Sequence, residues 1–444
     1  MKLLFISLGC DKNLVDSEYM IGMLANDGIE MTDDETQADV IVINTCCFIH
    51  DAKEESINTI LEMAQYKEQN LKALVVAGCL AERYKDEILK EIPEIDAVLG
   101  TTSYDSIVEA VNTALEENTG EHFEHYESID YLPDNSEVER VVTTGNHMAY
   151  LKIAEGCDKR CSYCIIPKIR GRFRSVPMQE LLNEAKRLAS EGVKELVLVA
   201  QETTLYGKDL TGEKQLPLLL HELCKIEGIE WIRLLYCYPE EMIKVIKTEE
   251  KVCNYIDMPI QHSENRILQR MGRRTSREDL VAVIKKLRKE IPDITIRTTL
   301  ITGFPGESQE DHEGLMNFVE ECQFDRLGVF TYSPEEDTLA ATFEDQIDEE
   351  VKEERRDELM SLQQEISYEH TQQLVGKTIK VMVEGYLFED DIYVGRSYMD
   401  APKVDGCVFI NSPEELMTGD FVYVKITQGR EYDVIGEVDY EFTK

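Results

Sequence analysis

The strongest constraint on the fold is an alternation of apolar strand patterns with amphipathic helix patterns, which occurs in two runs. In the first run, apolar segments at 2–8, 38–45 and 72–78 are separated by helical patterns. Short apolar runs joined by helices are typical of parallel strands that are buried on both faces. Residues 1–118 are therefore predicted to form a doubly wound α/β domain.

The second run begins after a polar segment, residues 119–145, which is predicted to be a linker. Six strand patterns follow, from HMAYLKIA at 147–154 to RLGVFTYS at 326–333, with helical patterns between them. Six βα units predict a full or partial βα barrel over residues 146–366. In such barrels the chemistry lies at the carboxyl ends of the strands.

The alternation stops at Gly376, where a charged helical pattern over 348–376 ends. The remaining segments are short and alternate apolar with polar residues. Residues 367–444 are therefore predicted to form a small antiparallel β-barrel.

Composition narrows the class of protein further. The formal net charge of −41 repels nucleic acid and favours basic partners, although simple solubility also accounts for an acidic surface. The N-terminus lacks a signal-peptide pattern, and no run of about 18 apolar residues predicts a membrane span. Twelve cysteines without a secretory signal predict a cytoplasmic protein whose thiols bind metal more often than they pair.

Three cysteines, Cys157, Cys161 and Cys164, lie in one loop after the first predicted barrel strand. Such short spacing is typical of iron–sulfur ligands, and three thiolates leave one iron of a four-iron cluster open to another molecule. A zinc site completed by a distant ligand such as His147 is the alternative. The loop also has no acid between residues 159 and 174. We expect its basic side chains to offset the thiolate charge; they are Lys159, Arg160, Lys168, Arg170, Arg172 and Arg174.

A second set of three cysteines is dispersed along the chain. Cys10, Cys46 and Cys79 each follow one of the first three predicted strands, at the edge where open α/β sheets bind ligands. The alternative is three unrelated buried cysteines. The alternation of side chains along the strand does not show whether Cys46 or its neighbour Cys47 belongs to the set.

Together with Tyr163 before the third loop cysteine, these features resemble the radical S-adenosylmethionine (SAM) methylthiotransferase family. The resemblance covers essentially the whole chain, including a TRAM domain at the C-terminus. The segment SLGCDKNLVDSE at 7–18 is similar to the RimO-type branch, which modifies a ribosomal protein. NTCCFI at 44–49 departs from the family's NTCGFI only at Cys47, which maps the expected ligand onto Cys46.

The resemblance implies two 4Fe–4S clusters and SAM as cofactors. The cluster on Cys157, Cys161 and Cys164 would cleave SAM to a radical, and the cluster on Cys10, Cys46 and Cys79 would hold the sulfur to be delivered. The implied product is a methylthio group on the β-carbon of an aspartate in small-subunit ribosomal protein S12, with a second SAM as methyl donor. No side chain is assigned a catalytic role.

Three side chains are predicted to contact SAM. Tyr163 lies within the cysteine loop, and Gln201 or Glu202 follows a barrel strand, where either could reach the SAM amino group. Arg297 lies on a barrel strand, and an internal ion pair is its alternative role.

The expected partners are a basic ribosomal protein and an electron-donor protein, without a membrane and without direct binding of transfer RNA. Residues 370–444 carry seven basic and fourteen acidic side chains, a net charge of −7. That surface disfavours a polyanion. The competing functions are modification of adenosine in transfer RNA, a non-catalytic iron–sulfur electron carrier, and a structural zinc protein that binds RNA.

Overall fold

The computed structural model of the protein describes residues 1–116, 122–238 and 242–441. The predicted architecture is confirmed: a doubly wound α/β domain is followed by a partial βα barrel and a closed five-stranded β-barrel. The last barrel is antiparallel except for one pair, residues 408–411 with 434–437, which runs parallel. None of the described helices is long and apolar enough to cross a membrane.

In the N-terminal domain, parallel strands form one sheet in the order β2-β1-β3-β4-β5-β6. Every residue of β3 and β4 is buried, since helices cover both faces of the sheet. The elements are β1 (Lys2–Ser7), α1 (Asp11–Asn26), β2 (Glu30–Met31), β3 (Val40–Thr45), α2 (His50–Ala64), β4 (Ala73–Gly78), α3 (Cys79–Arg83), α4 (Ile88–Glu91), β5 (Ala97–Leu99), α5 (Ile107–Leu115) and β6 (Phe123–His125).

Strand β6 corrects the predicted linker at 119–145. Residues 123–125 pair in parallel with β5, so the sheet extends into the segment whose polar composition predicted a connection. Residues 117–121 lie outside the described part of the chain. An edge strand of three residues carries too little apolar pattern to be recognised in the sequence.

The middle domain contains two parallel sheets, β7-β10-β11 and β12-β13-β14, which meet where Cys253 N donates to Ile232 O at 2.9 Å. The result is an open barrel with a seam between β7 and β14. Its elements are β7 (Met148–Lys152), β8 (Ala154–Glu155), α6 (Ile166–Ile169), β9 (Arg174–Ser175), α7 (Met178–Ser190), β10 (Glu195–Val199), α8 (Lys208–Thr211), α9 (Leu216–Cys224), β11 (Trp231–Leu234), α10 (Met242–Thr248), β12 (Tyr255–Asp257), α11 (Asn265–Arg270), α12 (Arg277–Glu290), β13 (Thr295–Thr302), α13 (Gln309–Cys322), β14 (Arg326–Thr331) and α14 (Glu349–Gln372).

The C-terminal strands close into a barrel in the order β15-β16-β17-β19-β18. Its side chains seal the amino-terminal mouth of the middle barrel, where Glu195 pairs with both Arg233 and Arg396 in full burial. This packing leaves the carboxyl ends of the middle strands for chemistry. The elements are β15 (Thr378–Leu387), β16 (Ile392–Ser397), β17 (Val408–Asn411), β18 (Phe421–Gly429) and β19 (Val434–Val438).

Candidate functional site

The cysteine loop leaves the carboxyl end of β7 and turns back on itself. Gly156 permits this turn, since it has a φ of +75° and a Cβ there would lie 2.1 Å from the carbonyl oxygen of Arg172. Cys157, Cys161 and Cys164 are all half-buried and belong to the same short segment. Burial raises the pKa of the Cys164 thiol to about 12, because a thiolate loses solvation there.

The structure brings the dispersed cysteines to one edge of the N-terminal sheet. Cys10 precedes α1, Cys46 follows β3, and Cys79 begins α3 directly after β4. Strands β1, β3 and β4 are neighbours, so their carboxyl ends lie side by side. Cys10 is exposed, whereas Cys46 and Cys79 are buried and have raised thiol pKa values because of that burial.

Cys46 and Cys47 face different surroundings. The Cys46 sulfur lies beside Gly9, close enough that a Cβ on Gly9 would approach it to 2.9 Å. Cys47 is fully buried in the apolar core, where its thiol donates to the carbonyl oxygen of Cys79 at 3.1 Å. The geometry thus separates two neighbours that strand phase left equivalent, with Cys46 on the side of Cys10.

Neither triplet has the geometry of a single-ion site. No group of three or more His, Cys, Asp or Glu side chains in the described ranges converges closely enough to hold one metal ion. A zinc ion would need sulfur atoms about 2.3 Å from one centre, whereas a cluster distributes its thiolates over separate irons. The proposed zinc ligand His147 lies at the opposite end of β7 and faces Glu384 at 3.7 Å. His147 is therefore not placed to complete a zinc site on the cysteine loop.

A buried polar junction joins the segments that carry the two triplets. Lys152 at the end of β7 pairs with Asp16 of α1, and Arg170 after the loop pairs with Asp16 and with Glu155. Burial opposes ionisation of Glu155, yet Arg170 and Lys152 hold the pKa of its carboxyl well below the usual value. The junction therefore stays charged and joins the domains.

The N-terminal domain also spans the open seam of the barrel. On the far side, Arg83 donates to Glu335, which follows β14, at 2.8 Å, and both side chains are buried. Asp16 and Lys152 join the same domain to β7. The domain therefore contacts β7 on one side of the gap in the six-stranded barrel and the segment after β14 on the other.

Gln201 lies at the carboxyl end of β10 beside the cysteine loop. Its amide donates to Glu155 at 2.9 Å, while its own Oε1 is buried without a hydrogen-bond partner among the described residues. Glu202 is instead paired with Lys159, whose ammonium lies 3.6 Å from the centroid of the Tyr238 ring. Of the two predicted contacts, Gln201 offers an unfilled acceptor to a donor such as the SAM amino group.

Tyr163 packs its ring edge-on against Phe304, with centroids 6.5 Å apart. Burial raises the pKa of its phenol well above the usual value, so the ring remains neutral. Burial opposes the charge of Arg273, yet Tyr238, Tyr163 and Cys161 together raise the pKa of its guanidinium. Tyr163 therefore forms an uncharged wall beside the loop.

Arg297 takes the alternative role of an internal ion pair. Its guanidinium donates to Asp257 at 2.9 Å and to Asp405 of the C-terminal barrel at 3.3 Å. Arg297 is the third residue of β13, on the side of the barrel that the C-terminal domain seals. The structure places it as a link between domains rather than beside the cysteine loop.

The basic residues of the loop do not act as one group. Arg170 donates to Cys79 of the other triplet, and Lys159 is held by Glu202. Arg160, Lys168 and Arg172 are exposed to solvent. The basic side chains were predicted to offset the charge of the loop cysteines, but Arg170 instead donates to Cys79 of the N-terminal set.

Sequence reasoning missed Asn13, Asp16 and Glu155. Asn13 and Asp16 lie on the buried face of α1, and Glu155 immediately precedes the loop. Their proximity to the cysteines in sequence was the available signal. Only the packing of α1 against β7 shows that they meet.

Three families match successive parts of the chain. These are the uncharacterized protein family UPF0004 over residues 2–100, the radical SAM superfamily over residues 151–319, and the TRAM domain over residues 375–438. The matches follow the order of the three domains described above.

Curated relatives match over the full length. The ribosomal protein uS12 methylthiotransferase RimO of Lachnoclostridium phytofermentans is 60% identical over 99% of this chain and 100% of its own. The protein of the same name from Acetivibrio thermocellus is 50% identical over 99% of this chain and 98% of its own.

Among solved structures, the radical SAM methyltransferase TsrM from Kitasatospora setae, with cobalamin and a 4Fe–4S cluster bound, has a TM-score of 0.55. It is 13% identical and covers 85% of this chain and 78% of its own. At this identity the likeness concerns the fold alone.

Proposed function

The chain belongs to the ribosomal protein uS12 methylthiotransferase (RimO) family, and from this premise we propose that it transfers a methylthio group to ribosomal protein uS12. The acceptor atom in this proposal is the β-carbon of an aspartate. The observation that carries it is the buried junction that joins the segments bearing two cysteine triplets, one on a radical SAM barrel and one on the N-terminal sheet.

Each triplet supplies the ligands for one 4Fe–4S cluster. Cys157, Cys161 and Cys164 would hold the cluster that binds SAM, and the second cluster would be held by Cys10, Cys46 and Cys79. When bound, the first cluster supplies the electron for SAM cleavage and the second supplies an iron for the sulfur that is transferred. Three thiolates in each set leave the fourth position open, as both roles require.

The protein's own residues position SAM and exclude water. Gln201 Oε1, buried and unfilled, accepts a hydrogen bond from the SAM amino group. Tyr163, within the cysteine loop, packs against Phe304 and presents an uncharged ring there. The N-terminal domain covers the barrel seam, which keeps solvent from a reactive radical. Arg297, held by Asp257 and Asp405, has no part in this binding.

Electrostatics favour a basic polypeptide as the substrate. The whole chain carries −41, and its C-terminal 75 residues, 370–444, also have an acidic balance. Such a surface attracts a basic ribosomal protein and repels transfer RNA. A separate electron-donor protein completes the proposed partners. Binding of uS12 should weaken as salt is raised, because the Debye length falls from about 10 Å at 0.1 M to about 3 Å at 1 M.

The test uses the full-length protein loaded anaerobically with iron and sulfide. It is incubated with SAM, a reductant and either uS12 or transfer RNA, and each product is analysed by mass spectrometry. We expect one methylthio group in place of hydrogen on an aspartate of uS12. A methylthio mark on an adenosine, with uS12 unchanged, would establish the transfer-RNA alternative. Electron uptake without SAM cleavage would establish the electron carrier, and stoichiometric zinc with little iron in anaerobically purified protein would establish the zinc protein.

A further inference from the structure

Arg170 lies at the centre of the junction between the two triplets and is 2% exposed. Its guanidinium has four partners. Nε donates to the Cys79 sulfur at 3.4 Å, and Nη2 donates to Asn13 Oδ1 at 2.7 Å. Nη1 donates to Asp16 at 2.8 Å and to Glu155 at 2.9 Å. All three guanidinium nitrogens of Arg170 therefore donate hydrogen bonds.

Through Asn13, Arg170 is connected to the strand ends that carry the other two cysteines of the N-terminal set. The Asn13 amide donates to the carbonyl oxygen of Leu8, two residues before Cys10, at 2.6 Å. It also donates to the carbonyl oxygen of Thr45, immediately before Cys46, at 3.1 Å. With its direct bond to Cys79, Arg170 reaches all three branches of the triplet.

Through Glu155, the same guanidinium is connected to the radical SAM side. Glu155 accepts hydrogen bonds from Lys152 at 3.0 Å and from Gln201 at 2.9 Å. It also accepts one from the backbone of Gly156, the residue before Cys157, at 3.1 Å. One side chain thus spans the ligand set of one triplet and the base of the loop that carries the other.

The charges at the junction are balanced. Arg170 and Lys152 are the cations, Asp16 and Glu155 are the anions, and all four side chains are buried. The bond to the Cys79 sulfur therefore adds a donor without leaving an unpaired buried charge. A planar guanidinium can bind four partners in fixed directions, which an ammonium group cannot do with three donors.

We propose that Arg170 is a positioning residue that fixes the two cysteine triplets relative to each other and raises the reduction potential of the cluster on Cys10, Cys46 and Cys79. The proposal rests on the proposed function for the identity of that cluster. The physical reason is that a donor to a ligand sulfur stabilises the more negative, reduced cluster. Residues around metal ligands orient them and tune the metal in this way.

The test measures the potential of the N-terminal cluster by itself. The parent protein is the full chain with Cys157, Cys161 and Cys164 replaced by alanine and loaded with iron and sulfide. Its midpoint potential is measured by a redox titration followed by electron paramagnetic resonance. We expect Arg170→Gln in this parent to lower the potential by about 59 mV, a tenfold change in a one-electron equilibrium.

Arg172→Gln is the matched control. It removes the same charge two residues away, from an exposed side chain with no bond to a cysteine. We expect it to shift the potential by less than half as much. Equal shifts in the two variants would overturn the proposal, since distant charge alone would then account for the effect.

Two further outcomes separate the possible failures. A parent protein without a four-iron signal would refute the cluster assignment of the proposed function rather than the role of Arg170. If Arg170→Gln does not fold, Arg170→Lys replaces it as the test of the proposal, because lysine keeps the positive charge but lacks the planar guanidinium. A lowered potential in that variant supports the proposal, and a potential equal to that of the parent overturns it.

Discussion

The two cysteine triplets differ in how the chain assembles them. Cys157, Cys161 and Cys164 lie within eight residues of one half-buried loop, whereas Cys10, Cys46 and Cys79 come from three strands and span 70 residues of sequence. The loop carries its three thiols within one segment, which Gly156 allows to turn back. The dispersed set exists only when β1, β3 and β4 have paired. A local motif and a product of tertiary folding therefore supply the same kind of ligand.

The largest expected effect separates the two sets by function. Replacing Cys157, Cys161 or Cys164 by alanine should abolish SAM cleavage, because each set offers only three thiolates. Replacing Cys10, Cys46 or Cys79 should preserve 5′-deoxyadenosine formation and abolish the methylthio product. Chromatography of the SAM products and mass spectrometry of uS12 check both. Production of 5′-deoxyadenosine by a loop variant would contradict the division.

The comparison is sharpened by the adjacent pair Cys46 and Cys47. Cys46→Ala should remove the N-terminal cluster, measured as iron per protein in the parent that lacks the loop cysteines. Cys47→Ala should retain that iron and lose about 1 kcal/mol of unfolding free energy, since it removes one buried hydrogen bond to Cys79. The reverse result would make Cys47 the ligand. Denaturant unfolding measures the stability change.

A third prediction concerns the opposite end of the barrel. Arg297→Met should lower the free energy of unfolding by about 3–5 kcal/mol, because it leaves buried Asp257 and Asp405 without their guanidinium. SAM affinity of the folded protein should remain unchanged. Thermal unfolding and SAM binding are measured on the same preparation. A loss of SAM affinity with unaltered stability would restore Arg297 as a SAM contact.

The smallest expected effect on SAM chemistry concerns Gln201, which lies beside the loop triplet. Gln201→Leu should weaken SAM binding about tenfold, equivalent to about 1.4 kcal/mol, since one hydrogen bond to a charged amino group is lost. The control is Gln179→Leu, on the exposed surface of α7, where the amide donates to Asn183 at 2.8 Å. Equal affinities for the two variants would exclude Gln201 as a contact.

Much of this protein can be recognised from local pattern. The buried strands β3 and β4 are apolar throughout, so the doubly wound domain was predictable from the sequence. The loop cysteines could be recognised from the sequence as well, because their spacing is a property of one segment. Strand β6 was not, since its three residues lie in a polar stretch at the sheet edge.

By itself, the sequence determined the order of the three domains, the two sets of candidate cluster ligands and the acidic balance. Each of these follows from residue spacing, hydrophobic periodicity or composition. Only the tertiary structure decided that Cys46 rather than Cys47 lies beside Gly9, that Arg297 pairs with Asp257, and that Arg170 reaches Cys79. Each of these depends on where a side chain points and on what a distant segment brings to it. These three contacts join residues up to 91 positions apart, and no local pattern encodes them.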